Sequence, residues 1–452
     1  MDLSSRLRAI VRSGPSKPAV VRELTYEPDP GYETTIAIDR VGDLLGGTVA
    51  QNTFGQCLVI ERRYESDRWH GAVRIGDCVL RPGDGLSVLD PALEMRGRAD
   101  GADAVAEALS RTVFIDLETT GLSGGAGTLA FLVGLGFFDL GAFQVRQFLL
   151  TSHAGERALL AAVAECFDDA DLIVSYNGKT FDVPVMETRW VFHRMEPALT
   201  GIPHFDMLHP ARRLWKLRPT HATSGDEGGC RLSTLERALF GVRRVGDVPG
   251  GEIPGRFFQF LRSGDPRPLE PVLEHNRLDL VSLAAVTARA VQLAEDGVGA
   301  CRDLSEALAL GRVYERSGDV ARAEACYRRA ADADDVEVKG EALYRLGLRC
   351  RRERRFADAA ALWQTLLTLG SGRARTSPAT DALRQFAAEA LAIHQEHRAK
   401  DYRAARELAM FALEESESPG RRNRGNDGLR HRLARLDRKI TREREISPLF
   451  WG

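Results

Sequence analysis

The chain has 452 residues, with 62 lysine and arginine residues against 64 aspartate and glutamate residues, a formal net charge of −2. Hydrophobic residues make up 44% of it and charged residues 28%, which excludes a disordered, collagen-like or membrane-spanning chain. The balanced charge excludes nucleic-acid binding through an overall basic excess, so any basic surface must be local. The 7 cysteines contain no Cys-x-x-Cys pair, which argues against a disulfide framework or a structural zinc site.

The length predicts two or three domains. No apolar run reaches the roughly 18 residues that a membrane-spanning helix needs, and the arginine-bearing start lacks the apolar core of a secretory signal. We therefore expect a cytoplasmic protein with no membrane partner. Residues 1–108 contain short strand-like runs between glycine-rich turns and predict a small, partly β N-terminal region whose function the sequence does not indicate.

Residues 109–298 have the pattern of an α/β domain with a mixed sheet flanked by helices. Short connections join the first three predicted strands, which should therefore pair antiparallel. A helix at 155–167 then supplies a crossover to a parallel neighbour. This order is the plan of an RNase H-like fold. The predicted strands are 112–119, 130–138, 142–150 and 171–176.

Two later helices complete this domain. Ser233 and Glu236 have the Ser-x-x-Glu spacing of a capping box, and the helix that it opens should end at Gly241. A longer helix is expected from about Leu269 to Ala294.

Residues 302–418 change to the spacing of tetratricopeptide repeats, helix-turn-helix units of about 34 residues. Gly311 and Tyr327 fall in a first copy, Gly347 in a second, and a weaker third begins near Ala387. Such an all-α solenoid offers a surface for a protein partner or shapes access of the substrate.

Residues 419–452 are rich in arginine, and two interpretations are open. A basic tail would follow a phosphate backbone. An amphipathic helix that caps the solenoid is favoured, because apolar residues recur at helical spacing. These residues are Leu429, Leu433, Leu436 and Ile440.

The strand at 112–119 carries the first candidate site residues. Asp116 and Glu118 lie on one face of it, because side chains alternate along a strand. Two carboxylates in an apolar strand repel each other and lose hydration unless a cation compensates. A divalent metal ion would do so. The alternative is an edge strand whose acids point to solvent.

Two further motifs carry acids. At Tyr176 to Asp182 a buried strand ends in a glycine turn, and Asp182 begins a helix, where it would also complement the helix dipole. On the long helix, His275 and Asp279 lie one turn apart and share a face. Taken alone, each motif is compatible with a purely structural role.

In this order the three motifs resemble the DEDD exonuclease superfamily. Five segments resemble its YprB-like family of predicted exonucleases more closely, over about Thr112 to Ala294. The resemblance implies a 3′-to-5′ exonuclease that hydrolyses phosphodiester bonds of DNA or RNA with two divalent cations, Mg²⁺ or Mn²⁺. The five segments are residues 116–122, 176–182, 205–206 with 213–215, 232–236, and 275–279 with Leu283.

The resemblance also implies roles for individual residues. Asp116 would bridge both metal ions, Glu118 and Asp279 would complete the first site, and Asp182 would hold the second ion. His275 would be the general base. A histidine base in the superfamily usually lies five positions before the last aspartate, whereas His275 lies four before it. A histidine that orients a neighbour or packs in the fold is therefore the alternative.

Five residues are candidates for contact with the substrate. Thr119, Thr120 and Leu122 follow the first motif closely enough to touch a terminal nucleotide. Asn177 and Lys179 are placed to contact a phosphate, although a turn-forming Asn-Gly explains Asn177 equally well.

Two other functions remain open. A catalytically silent RNase H-like protein would bind nucleic acid or act as a scaffold through its repeats, but binding alone has no need for four acids together. A structure-selective endonuclease on the same fold is the second alternative, since the fold does not separate it from an exonuclease.

Overall fold

The computed structural model describes residues 37–80, 83–93, 111–121, 127–215, 230–370, 377–417 and 426–446. Its strands are β1 (Thr48–Asn52), β2 (Gly55–Tyr64), β3 (Trp69–His70), β4 (Val73–Arg74), β5 (Thr112–Thr119), β6 (Ala130–Asp139), β7 (Ala142–Leu149), β8 (Leu172–Ser175) and β9 (His204–Asp206).

The α-helices of these ranges fall into two groups, the first surrounding the sheet and the second forming the C-terminal region. The first group is α1 (Ile38–Leu45), α2 (Gly85–Leu89), α3 (Glu156–Glu165), α4 (Asp182–Phe192), α5 (Leu208–Trp215), α6 (Leu232–Phe240), α7 (Ile253–Ser263) and α8 (Glu270–Asp296). The second group is α9 (Leu304–Ser317), α10 (Val320–Ala330), α11 (Val336–Arg352), α12 (Phe356–Thr368), α13 (Pro378–His394), α14 (Tyr402–Glu417) and α15 (Asn426–Ile446).

A seven-stranded mixed sheet has the order β1-β2-β7-β6-β5-β8-β9. Strands β5, β6 and β7 pair antiparallel, and β8 pairs parallel with β5 after the crossover through α3, as predicted. The predicted RNase H-like fold class is confirmed, as is the all-helical C-terminal region. Strands β5 and β8 run the same way, so their carboxyl ends lie at one edge of the sheet.

The strands that precede the expected domain boundary belong to the same sheet. Strand β2 pairs antiparallel with β7, and β1 pairs with β2 at the sheet edge. The division between residues 1–108 and 109–298 stays a prediction, but the sheet itself continues across it.

Side chains alternate between the two faces of the sheet and fill two cores. Phe114 of β5 packs on the face covered by α8, α5 and α6. Its neighbour Ile115 packs on the other face, against α3, α4 and α7. There Phe131 stacks on Phe257 of α7 with ring centroids 4.2 Å apart. The sheet is therefore buried on both faces, and its functional acids must lie where this packing leaves an edge.

Helix α8 is 27 residues long and matches the predicted helix closely. It has Pro271 in its first turn, where a missing N–H costs nothing, and ends at Gly297 with a positive φ of 72°. The capping box predicted at Ser233 is wrong. Arg231 occupies the N-cap position of α6, and the side chain of Glu236 turns inward. The predicted end of that helix at Gly241 matches the structure, where this residue has a φ of 68°.

The C-terminal helices pack as consecutive pairs, α9 with α10, α11 with α12 and α13 with α14. Gly311 lies against the ring of Tyr327, where an added Cβ would come within 2.5 Å of Cε1. Gly347 lies equally close to Trp363. Only glycine allows these approaches, so the spacing of small residues has a packing cause. The assignment to tetratricopeptide repeats stays a prediction.

The last helix, α15, packs on α14 through Leu429 and Leu436. The buried Glu396, in the segment between α13 and α14, accepts hydrogen bonds from Arg432, Arg435 and Lys439 of α15. Burial alone would raise the pKa of Glu396, but these cations lower it to about 2. Three basic residues of this helix therefore hold it against the preceding helices.

The helical region also contacts the sheet domain. Trp215 of α5 donates from Nε1 to Glu306 of α9 at 2.8 Å, and Arg289 of α8 binds the same carboxylate. A continuous apolar cluster runs from Phe114 through α8 into α9 and α10. Of the helices described, none is both long and apolar enough to cross a membrane.

Candidate active site

Asp116 lies at the centre of the candidate site, on the face of β5 that α8 covers. It faces Gly134 across the β5–β6 ladder. Asn276 of α8 donates from Nδ2 to Asp116 Oδ2 at 2.8 Å and to its backbone oxygen at 3.1 Å. Gln147 of β7 in turn donates to Asn276 Oδ1 at 2.8 Å. The two buried amides of Gln147 and Asn276 therefore form a relay that fixes the position of Asp116.

Gly134 makes room for this relay. A Cβ at this position would stand 2.2 Å from Asn276 Oδ1, a distance that forces the amide away. We expect Gly134→Ala to displace Asn276 from Asp116 and to lower the melting temperature, because a buried amide loses its partners at a cost of about 1–3 kcal/mol each.

The matched control is Gly255→Ala on α7, where an added Cβ meets nothing within 4 Å. That change should raise stability by up to about 1 kcal/mol, since alanine is the better helix former. Thermal unfolding of the two variants measures the difference. Equal melting temperatures would show that the relay tolerates displacement.

The second motif is built on a tight turn after β8. Asn177 has a φ of 71°, a left-handed conformation that asparagine tolerates. The buried carboxylate of Asp206, at the end of β9, accepts the backbone N–H groups of Asn177 and Lys179 at 2.8 and 3.1 Å. The turn places Asp182 at the first position of α4, 6% exposed. Because β5 and β8 are parallel, Asp182 reaches the same sheet edge as Asp116.

The carboxylates of this edge repel one another in a buried setting. Burial is the main cause of the raised pKa of Asp116, and repulsion from the three other candidate acids adds to it. The pKa of Glu118 is raised by burial and by neighbouring carboxylates as well. Burial, followed by repulsion from Asp206 and Asp279, raises the pKa of Asp182 from 3.8 to about 8. The four predicted acids therefore form one electrostatic cluster.

Asp182 predicts how stability depends on pH. Between its ordinary pKa near 4 and its folded value of about 8, the folded chain binds the extra proton. The free energy of unfolding must therefore fall as pH rises through this window. We expect the melting temperature in EDTA to fall from pH 4 to pH 8, and Asp182→Asn to flatten that fall.

The control for this change is Asp265→Asn, an exposed acid paired with Arg267. It should keep the wild-type pH profile, since its own pKa is lowered and titrates below the window. A wild-type slope in Asp182→Asn would mean that Asp182 is ionised in the folded protein throughout.

Asp279 of α8 is held by an arginine that the sequence did not single out. Arg244 donates from Nη2 to Asp279 Oδ1 at 2.5 Å. It also forms a bidentate pair with Glu236, at 2.7 and 2.9 Å. The second oxygen of Asp279 lies 3.6 Å from His275 Nε2.

His275 faces the acid cluster through one ring nitrogen and a separate acid through the other. Its Nδ1 lies 2.6 Å from Asp247 Oδ1, and its Nε2 lies 4.0 Å from Glu118 Oε1. A carboxylate only accepts, so Nδ1 donates to Asp247, and Nε2 is the ring nitrogen that points at the cluster. The histidine is thus oriented and does not merely pack.

Four of the five predicted substrate residues lie in the described part of the chain. The Thr119 hydroxyl donates to Gly121 O at 2.9 Å, and Thr120 bridges to Leu129 through backbone and side chain. Asn177 Oδ1 accepts from Thr180 at 2.9 Å, which supports its turn-forming role. Lys179 Nζ lies 3.3 Å from Asp90. Leu122 lies outside the described residues.

The donor set fits a hard divalent cation. Buried carboxylate oxygens that repel one another are the ligands that Mg²⁺ and Mn²⁺ prefer. Across the described ranges, however, no three His, Cys, Asp or Glu side chains stand together as a ready metal site. Asn276 binds Asp116 through Oδ2 and Arg244 binds Asp279 through Oδ1, so an ion would be held through the other oxygen of each carboxylate.

Sequence reasoning missed most of the supporting residues. Asp247 and Arg244 come from the irregular segment after α6, and Asp206 from the short strand β9. Asn276 lies beside His275 in the quoted motif, but no pattern marked it as a partner of Gln147, 129 positions away. The available signal was Gln147, a polar residue at a β7 position that alternation places on the same face as Phe143 and Val145.

Comparison with known proteins agrees with this architecture. A family profile described as RNase_H superfamily matches residues 113–291, so this part of the chain is an RNase_H superfamily domain. The chain is also 30% identical to the Bacillus subtilis (strain 168) protein described as uncharacterized protein YprB, over 329 residues that cover 73% of this chain and 75% of that protein. The chain therefore belongs to the YprB family. Since 329 residues exceed the span 113–291, the similarity extends beyond the RNase H-like part.

Proposed function

We propose that this protein is a metal-dependent 3′-to-5′ exonuclease that hydrolyses phosphodiester bonds of DNA or RNA. The observation that carries the proposal is the convergence of Asp116, Glu118, Asp182 and Asp279 from three separate elements into one cluster. Burial and mutual repulsion raise the carboxyl pKa values of Asp116, Glu118 and Asp182 there. A fold gains no stability from buried acids that repel each other. Their presence together is best explained by a cation that they share.

The residues divide the work as follows. Asp116 would be shared by two Mg²⁺ or Mn²⁺ ions, Glu118 and Asp279 would complete the first site, and Asp182 would serve the second. When bound, the ions supply an activated water and stabilise charge at the phosphate. His275 accepts the proton of the attacking water at Nε2, while Asp247 holds the ring through Nδ1.

The nucleic acid would lie across the carboxyl edge of β5 and β8. Thr119 and Thr120 would touch its terminal nucleotide. Asn177 and Lys179, on the turn that precedes Asp182, would contact a phosphate. The C-terminal helices, as proposed tetratricopeptide repeats, would recruit a protein partner or shape access to this edge. A cytoplasmic location remains a prediction.

The proposal is tested by digestion of 5′-labelled single- and double-stranded DNA and RNA with Mg²⁺ or Mn²⁺, and with EDTA. Wild type should remove 3′-terminal nucleotides stepwise, and Asp116→Ala and EDTA should abolish this. Asp265→Ala, which removes an exposed acid elsewhere, should behave as wild type.

Other outcomes point to the other two functions. Internal cuts at defined junctions would identify an endonuclease on the same fold. Binding of nucleic acid with no metal-dependent cleavage of any substrate would identify a catalytically silent scaffold.

A further inference from the structure

The side chain of Arg244 contacts three acidic residues at the candidate site. Its side chain is 6% exposed and lies between α6 and α8. It binds both oxygens of Glu236 and one oxygen of Asp279, and its Nη1 lies 3.6 Å from Asp247 Oδ2. One planar guanidinium therefore contacts a metal-ligand candidate and approaches the acid that orients His275.

Glu236 anchors this arginine from the far side of the cluster. It is 1% exposed and accepts a hydrogen bond from Ser282 of α8. Ser282 is itself bonded to His70 Nε2 at 2.9 Å, which ties the β3–β4 hairpin to the network. The anchor is thus fixed by three separate elements, so the guanidinium has one position available.

Stability alone does not account for this arrangement. A buried arginine–glutamate pair adds little compared with apolar residues of the same size. Arg244 Nη1, moreover, has no hydrogen-bond partner among the described residues, although it is buried. A buried donor without a hydrogen bond is unfavourable, and such a group in a folded protein calls for an explanation other than stability.

The two oxygens of Asp279 have different surroundings. Arg244 binds Oδ1, whereas Oδ2 lies on the side of His275 and the other acids. Arg244 Nη2 is shared between Glu236 and Asp279, so this arginine binds Asp279 through one oxygen. Arginine suits this task better than lysine, since its fork holds several acceptors in a fixed plane.

We propose that Arg244 is the positioning residue of this site: it fixes Asp279 through Oδ1 so that Oδ2 is presented to the metal, and it aligns Asp247 behind His275. The inference rests on the proposed function, because it takes Asp279 as a metal ligand. It assigns the role to a residue that contacts neither the metal nor the substrate.

The test compares Arg244→Lys with Arg189→Lys. Arg189 is 3% exposed and forms the same bidentate pair with Glu156, at 2.6 and 2.5 Å, on the opposite face of the sheet. Both changes keep the charge and lose the fork, so both should lower the melting temperature. Only Arg244→Lys should weaken Mn²⁺ binding, measured by calorimetry on the full chain without substrate.

We expect Mn²⁺ affinity to fall about tenfold to a hundredfold in Arg244→Lys, the range for residues that orient metal ligands. The cleavage rate at saturating substrate should fall with it, and KM should stay near the wild-type value. If Arg244→Lys does not fold, Glu236→Gln keeps the shape of the anchor and should shift Mn²⁺ affinity in the same direction.

The outcomes separate the inference from the function on which it rests. Wild type that binds Mn²⁺ while Arg244→Lys binds it equally well would overturn the positioning role and leave the nuclease intact. Wild type that neither binds Mn²⁺ nor cleaves any nucleic acid would overturn the proposed function itself.

Discussion

Asp116→Asn is expected to lower the rate of nucleotide removal by about a thousandfold or more, the equivalent of losing several kcal/mol of transition-state stabilisation. Asparagine has nearly the same shape and can still accept the bond from Asn276, which Asp116 accepts at 2.8 Å. What it lacks is the negative charge that would be shared by two cations. The loss should therefore appear in the chemical step at saturating substrate.

The same substitution should stabilise the protein in EDTA. Burial and the three neighbouring acids raise the pKa of Asp116, so its carboxylate is unfavourable where it stands. Removing one charge from the cluster relieves that repulsion and raises the melting temperature, a trade of function against stability that is common at active sites. Addition of Mn²⁺ should then stabilise wild type and leave Asp116→Asn unchanged.

Single-turnover cleavage and thermal unfolding with and without Mn²⁺ measure both effects. Asp265→Asn, an exposed acid on the α7–α8 connection, should change neither. Retention of more than about a tenth of the wild-type rate in Asp116→Asn would exclude a shared-ligand role, since this role is worth several kcal/mol. A lower melting temperature would mean that its hydrogen bond outweighs the repulsion.

The regular elements could be predicted from the sequence because their cause is local. The alternation of apolar and polar residues predicted a strand at 112–119, which are the observed bounds of β5. Gly297 ends α8 close to the position expected from the sequence. The four acids could be predicted for the same reason, as each sits in a short motif. The capping box at Ser233 was predicted because its spacing to Glu236 fits that motif. In the folded chain the carboxylate of Glu236 is instead buried and bound by Arg244.

The supporting residues depend on contacts that no local pattern encodes. Arg244 and Asp247 lie in an irregular segment, and only the packing of α6 against α8 brings them to Asp279 and His275. The continuation of the sheet through β2 has a similar cause, because strand pairing with β7 joins residues far apart in the chain. Sequence patterns therefore identified the acids of the candidate site, and tertiary contacts determine how they are held.

Helix α8 connects the candidate site at the sheet edge with the C-terminal helices. Its first half carries Asn276 and Asp279 to the sheet edge, and its second half packs against α2 and the start of the C-terminal helices. Arg289, about three turns beyond Asp279, binds Glu306 of α9 at 3.0 Å. The helical region therefore packs directly on the helix that supplies site residues.

His275→Ala should separate the two roles that remain open for this histidine. If Nε2 takes the proton of the attacking water, the rate at saturating substrate falls by about a hundredfold to ten-thousandfold, while Mn²⁺ affinity changes little. Added imidazole should restore part of the rate, because the deleted ring leaves space beside Asp247 and Glu118.

Asp247→Asn provides the intermediate case, since its amide oxygen still accepts from Nδ1 but carries no charge. We expect a loss of about tenfold, the lower end for a partner that orients a functional side chain. The matched control is His193→Ala, which removes a histidine bonded to Glu156 at 2.7 Å on the opposite face of the sheet. Its rate should equal that of wild type. If His275→Ala instead weakens Mn²⁺ binding and rate equally, with no rescue by imidazole, the histidine orients a ligand and the base must be sought elsewhere.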